Sequence, residues 1–308
     1  MKILIELPSW LGDSIMSSPA IENIINQFNN VELTLLGSFV SIEAIKHHPN
    51  VVKTYVLDKE YVALYKNLKD FEKFDIFFSF RSSYRSTFIK FLIVSAKKYQ
   101  FKKNKYKDGH QVEKYNNFIN DSLDISSMPG RLVLYPLKKV QNSRRKLLGI
   151  NPGASYGSAK QWLPKEFADV AIDLASDYDI IILGGADEQI IASDIEHSLI
   201  ENGIKNYQNL AGQTSIYDLL LQIKSLDLFV TGDSGPMHIA AAYKIPTVAI
   251  FGPTNDLETS QWMNKKNIVV KKKLKCQPCM RRVCPLQHHH CMKLISSFEV
   301  LQAVKRIN

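Results

Sequence analysis

At 308 residues the chain exceeds the usual size of a single core, so two domains of roughly 150 residues each are the first expectation. Hydrophobic residues make up 45% and charged residues 22%, ordinary globular usage that excludes a disordered chain. The net charge of +9 points to an anionic partner, whether nucleotide, phosphorylated glycan, nucleic acid or acidic membrane face, without choosing among them.

The opening MKILIELPSW has one Lys and a short apolar run that Glu6 and Pro8 interrupt, which reads as a strand and not as a secretory signal. No apolar run approaches the roughly 20 residues of a membrane span, so a soluble, cytoplasmic protein is expected. After the strand at Ile3, Leu4 and Ile5, the positions Ile15, Met16, Ala20, Ile21, Ile24 and Ile25 recur at helical spacing. Strands are expected over 31–36, 51–57 and 75–79, with helices from about 41 and over 61–69. The run KKYQFKKNKYK at 97–107 breaks the pattern. It reads either as a solvated loop or helix face, or as a contact for an anionic acceptor or lipid headgroups. Residues 129–145 lack a period and end in basic residues, the pattern of a domain linker. A second series follows, with a strand from Leu147, a helix over 164–176, a strand over 180–183 and helices over 187–202 and 215–225. A strand at 228–231, a helix at 236–243, a strand at 247–251 and a last helix near 298–307 complete it. Strands alternating with helices imply parallel sheets covered on both faces. Two such halves facing a cleft bind ligands at the carboxyl ends of their strands.

Three loops of the second half and one of the first carry candidate chemistry. In TGDSGPMHIAAA, 231–242, a strand ends in a turn and a helix begins at once. That places unsatisfied helix N–H groups, the Ser234 hydroxyl, Gly235 and His238 around one point suited to an anion such as a diphosphate. The plainer reading is that Asp233 or Ser234 caps the helix. The loop NPGASYGSAKQW, 151–162, offers small and hydroxyl residues including Ser155, with Lys160 adding positive charge, although it lacks the GK[ST] ending of a P-loop. In Gly184-Gly-Ala-Asp-Glu188 the Glu188 carboxylate suits ribose hydroxyls or, equally, a helix N-terminus. Asp13, in Pro8-Ser-Trp-Leu-Gly-Asp-Ser, is a candidate base for deprotonating an acceptor hydroxyl or else an N-cap. Ser9 and Trp10 beside it are the candidate acceptor contacts.

The segments PSWLGDSIMSSPAI at 8–21, NPGASYGSAKQWLPKEFADVA at 151–171, GGADE at 184–188, NLAGQTSIYDLL at 209–220 and TGDSGPMHIAAAYKIPTVAIFGPT at 231–254 cover both halves in order. Together they resemble the ADP-heptose:lipopolysaccharide heptosyltransferases of glycosyltransferase family 9, most closely the heptosyltransferase II group. The resemblance implies an α/β fold of GT-B type, two Rossmann-like domains facing a central cleft. Its domains would be 1–143 for the acceptor and 144–295 for the nucleotide sugar, with 296–308 as a helix packing back on the first domain. It implies an inverting, metal-independent transfer of heptose from ADP-heptose to the heptose of a lipid A-core acceptor. The enzyme would be monomeric, at the cytoplasmic face of the inner membrane. By the same resemblance Asp13 matches the general base and Lys160 a contact to the donor phosphates. Glu188 matches the ribose acid and Asp233 an aspartate at the heptose hydroxyls, with Ser234, Gly235 and His238 around the diphosphate. The neighbouring readings are a heptosyltransferase I acting on Kdo and a sugar-nucleotide epimerase of the same architecture, for which no second acid/base residue is evident.

The four cysteines and three histidines of Cys276-x2-Cys279-x4-Cys284-x6-Cys291 form a local cluster. They are read as a candidate structural zinc site or as reduced thiols, with a disulfide disfavoured in cytosol. No catalytic cofactor is expected. The basic residues do not gather into a nucleic-acid reading element.

Overall fold

The computed structural model describes residues 1–58, 60–135 and 145–307. Its contacts divide the chain into Met1–Leu137 and Lys138–Asn308. The expected boundary at 143/144 and much of the expected linker lie outside the described residues. The start of that linker belongs to the first unit: Leu132 is buried, and the Val133 N–H donates to Ser18 Oγ at 2.9 Å.

In the first unit β1 (Lys2–Glu6) leads to α1 (Leu11–Met16) and α2 (Ser18–Asn26), then β2 (Glu32–Gly37) and α3 (Phe39–Ile45). There follow β3 (Val51–Val56), α4 (Tyr61–Leu68), β4 (Phe74–Ser79), α5 (Tyr84–Leu92), β5 (Ser95–Gln100) and α6 (Gln111–Leu123). The five strands pair in parallel in the order β3-β2-β1-β4-β5. The central strand β1 is apolar at Ile3, Leu4 and Ile5 because helices cover both of its faces, and all three are wholly buried. On one face Leu4, Leu36, Phe77, Leu64 and Ile89 share a core.

The second unit runs β6 (Lys146–Asn151), α7 (Pro164–Leu174), β7 (Tyr178–Ile182), α8 (Gln189–Glu201), β8 (Tyr207–Asn209) and α9 (Ile216–Lys224). It continues with β9 (Leu228–Gly232), α10 (Gly235–Tyr243), β10 (Thr247–Phe251), α11 (Asp256–Thr259), β11 (Asn267–Lys271), α12 (His290–Lys293) and α13 (Ser297–Ile307). Its six strands are parallel in the order β11-β10-β9-β6-β7-β8. Trp162 is a corner of this core, edge-on to Phe167 at 4.7 Å, with its indole N–H satisfied by the Ile295 carbonyl at 2.9 Å.

One sequence expectation changes. Residues 97–100 are neither loop nor helix face but part of the edge strand β5. Its lysines mark an unpaired sheet edge, where charge deters further pairing. The C-terminal helix α13 buries its apolar face within the second unit. Val300, Ala303 and Val304 lie in the second unit's core beside Val170, Val248 and Ile250. Strand β11 and helix α6 were not legible from the pattern, although Val112, Tyr115 and Ile119 fall at helical spacing and are buried.

Candidate functional site

Strand order in the second unit reverses direction between β6 and β9, so the loops after these strands splay apart at one edge of the sheet, the usual ligand position of such folds. The loop after β6 carries Lys160 and the turn after β9 carries Asp233. Their side chains meet, with Lys160 Nζ 2.5 Å from Asp233 Oδ2, both largely buried. Lys160 also donates to the Asp233 carbonyl at 3.3 Å, and the Thr254 hydroxyl donates to the same carboxylate at 2.6 Å. Thr254 stands just beyond β10, a position sequence reading passed over despite its place in the GPT string that closes that strand.

Helix α10 starts at Gly235 with Pro236 in its first turn. The Ser234 side chain makes no capping bond, so the capping reading does not hold for it. Its hydroxyl lies instead 3.4 Å from Asn151 Nδ2 and 3.3 Å from Thr231 Oγ1. His238 is buried one turn along. The first-turn N–H groups of α10 and the Lys160–Asp233 pair thus share one strand-end position. Together they set helix N–H groups and an ammonium beside one compensating carboxylate.

Glu188 closes the short helical turn that leads into α8. One carboxylate oxygen accepts from the Gly185 N–H at 2.6 Å, the helix-start role. Gly153 has the closest reason to be glycine, because a Cβ there would lie 2.0 Å from the Glu188 carboxyl. The two loops are therefore in van der Waals contact through that carboxylate. Ser155 is exposed on the same loop.

In the first unit Asp13 sits half-buried in the first turn of α1, where a carboxylate is favoured by the helix dipole. Burial, and next the Asp13 charge, push the nearby Tyr115 phenol well up, which marks Asp13 as a source of negative potential on the buried Tyr115. The loop before α1 is pinned by hydroxyls. Ser14 donates to the Pro8 carbonyl at 3.0 Å, and Ser38 donates to the Ser9 carbonyl at 2.8 Å. Trp10 is half exposed beside it. A residue the sequence reading missed is Glu6, wholly buried at the end of β1. It accepts from Ser79 Oγ at 2.6 Å and Ser86 Oγ at 2.9 Å, with the Arg81 guanidinium 3.6 Å away.

The four cysteines are unpaired thiols lining one cavity with His288, Ala159 and Pro253. Burial, and then the neighbouring thiols, push the Cys291 thiol up to about 11. Among the described residues no group of three or more His, Cys, Asp or Glu is arranged to hold a metal ion, so the zinc expectation finds no ligand sphere here. Nor is any helix among them long and apolar enough to cross a membrane.

The family model described as glycosyltransferase family 9 (heptosyltransferase) matches residues 79–290. The chain is 42% identical to the lipooligosaccharide heptosyltransferase 2 of Campylobacter jejuni subsp. jejuni serotype O:2, covering 100% of this chain and 98% of that one. Its fold is similar to that of E. coli ADP-heptose lps heptosyltransferase II, with a TM-score of 0.81, 22% identity and coverage of 100% and 98% of the two chains. A second likeness in fold is to E. coli heptosyltransferase WaaC with ADP, with a TM-score of 0.78, 14% identity and full coverage of both.

Proposed function

This chain belongs to glycosyltransferase family 9 and is a glycosyltransferase of GT-B type. From that premise we propose that it transfers heptose from ADP-heptose to a heptose of the lipooligosaccharide inner core, with inversion at the anomeric carbon. The observation that carries the reading is the meeting of Lys160, Asp233 and the start of α10 at the strand ends of the second sheet. A diphosphate leaving group needs positive charge and N–H donors held in place before the reaction, and this edge supplies both.

In the proposed reaction the Asp13 carboxylate takes the proton of the acceptor hydroxyl. The hydroxyl oxygen then forms a bond to the anomeric carbon as the bond to the diphosphate oxygen breaks and ADP departs. Lys160 turns from Asp233 toward the leaving diphosphate, and the first-turn N–H groups of α10 and the Ser234 hydroxyl receive the same charge. Asp233 then faces the sugar hydroxyls, while Glu188 borders the ribose. Ser9 and Trp10 border the acceptor, which on this reading is lipid-linked and presented at the cytoplasmic face of the inner membrane. Because the stabilising charges are side-chain and backbone groups, turnover is expected to survive EDTA.

The test is an assay of the purified chain with ADP-heptose and core acceptors bearing no heptose or one heptose. Transfer only to the one-heptose acceptor, with a product anomeric configuration opposite to the donor's, is the expected result. Transfer to the heptose-free acceptor instead moves the assignment to Kdo, and retained configuration removes the inverting mechanism.

A further inference from the structure

Residues 272–289, which carry three of the four cysteines and lead into the fourth, contain neither helix nor strand. A stretch of that length without regular structure inside a compact domain is uncommon unless it serves a site. This one grips the loop that carries Lys160. The Tyr156 hydroxyl donates to the Met280 carbonyl at 2.8 Å, and the Ala159 N–H donates to the Arg282 carbonyl at 3.0 Å. His289 Nε2 lies 2.9 Å from the Ala159 carbonyl. A carbonyl only accepts, so that ring nitrogen carries the proton. Gly157 adopts a φ of 150°, and a Cβ there would sit 2.4 Å from the Arg282 carbonyl oxygen, so the two segments are as close as backbone permits. The Tyr156 ring has the Lys160 ammonium 4.7 Å from its centroid and the Arg282 guanidinium at 5.5 Å.

The same segment holds the loop that follows β10. Gln277 Nε2 donates to the Gly252 carbonyl at 2.6 Å, and the Met280 N–H donates to the Pro253 carbonyl at 2.9 Å. The thiol-lined cavity lies at this junction, with Ala159 and Pro253 in its wall. Ala159 precedes Lys160, and both its backbone polar groups are claimed by the segment. Thr254, which orients Asp233, follows Pro253. The segment therefore fastens the loop that carries Lys160 and the loop whose Thr254 hydroxyl holds the Asp233 carboxylate.

We propose that residues 276–291 act as a positioning clamp for the donor loop, with the His289 imidazole fixing the Ala159 carbonyl and so the direction of Lys160. The clamp rests on the reading of Lys160 as a contact to the donor diphosphate. His289 has a left-handed backbone with φ 54°, which asparagine tolerates well. His289→Asn therefore keeps the backbone comfortable while leaving the side chain too short to reach Ala159. His289→Gln restores a donor at nearly the original reach.

The experiment measures ADP dissociation constants by calorimetry, donor and acceptor KM, and the melting temperature of each variant. Loss of one neutral hydrogen bond sets the expected scale, about a fivefold rise in ADP Kd and in donor KM for His289→Asn. Acceptor KM and melting temperature should hardly move, and His289→Gln should recover most of the loss. Tyr156→Phe, which deletes only the bond to Met280, should give a smaller shift in the same direction. The clamp is refuted by an unmoved donor KM in His289→Asn, by no recovery in His289→Gln, or by equal shifts in both KM values together with a large drop in melting temperature. A wild-type chain that fails to bind ADP at all sinks the donor-loop reading and the clamp with it. Normal wild-type binding with an unmoved His289→Asn sinks the clamp alone.

Discussion

The two units place buried carboxylates at the ends of central strands and treat them in opposite ways. Glu6, the last residue of β1, is enclosed by neutral donors, two serine hydroxyls, with Arg81 at 3.6 Å. Burial raises its carboxyl above the ordinary range against the pull of Ser79, Arg81, Ser86 and Arg85. Asp233, after β9, is instead joined directly to Lys160 at 2.5 Å. Hydroxyls that satisfy a carboxylate on the spot make a knot between β1, β4 and α5. An ammonium on a flexible stem makes a contact that an incoming anion can share. Burial by itself therefore does not mark a ligand site; on the proposed reading, a counter-charge that an anion can share does.

The largest expected effect separates the proposed catalytic carboxylate from both buried ones. Asp13→Asn should lower turnover about a thousandfold, the scale of a lost general base, while ADP affinity stays within about twofold. Wild-type turnover in that variant would leave the first unit without its proposed role. Next, Lys160→Ala strands Asp233 in a largely buried position and should cost about 3 kcal/mol of stability together with ADP affinity. Adding Asp233→Asn should return most of the stability but not the affinity. If affinity returns as well, Lys160 was a structural partner only and the contrast with Glu6 collapses.

A smaller effect tests the knot. Because the Glu6 carboxyl is raised in the folded state, its ionised form carries a burial cost that the unfolded chain lacks. That cost is present at neutral pH and fades as pH falls through the raised folded value toward the ordinary one near 4.5. Acidification should therefore stabilise the wild type relative to Glu6→Gln in chemical denaturation. A difference independent of pH would contradict the assigned direction. The smallest effect is expected at Glu72, at the surface, where hydrogen bonds from Lys2 and Lys53 bring its carboxyl down to about 2. Glu72→Gln should leave the denaturation midpoint nearly unchanged, since solvent screens such pairs.

Legibility followed burial and locality. Strands buried on both faces, such as Leu228–Gly232 and Thr247–Phe251, announce themselves as apolar runs. Edge strands do not, because β5 has one neighbour in its sheet and offers solvent a row of polar side chains. Helix α6 escaped for a related reason. It is polar on average and is started by an unusual cap, the His110 ring accepting from the Val112 N–H while Glu113 accepts from the His110 N–H. Among the site residues, Lys160, Glu188 and Asp233 were legible as strand-end positions. Thr254 was not, since nothing local distinguishes it, and His289 was legible only as one histidine of the cysteine cluster.

The sequence by itself determined two α/β series and the placement of Asp13, Lys160, Glu188 and Asp233 at the carboxyl ends of strands. Those follow from apolar periodicity and turn residues, which act over a few neighbours in the chain. Only the tertiary structure decided that Lys160 pairs with Asp233 and that Glu188 folds against Gly153. It alone also seated α13 in the second unit and closed residues 276–291 over the donor loop. Lys160 and Asp233 are 73 residues apart, and Ala159 and His289 are 130 apart. Contacts over such separations are set by which strands neighbour one another in the sheet and by close packing between loops, and local spacing encodes neither.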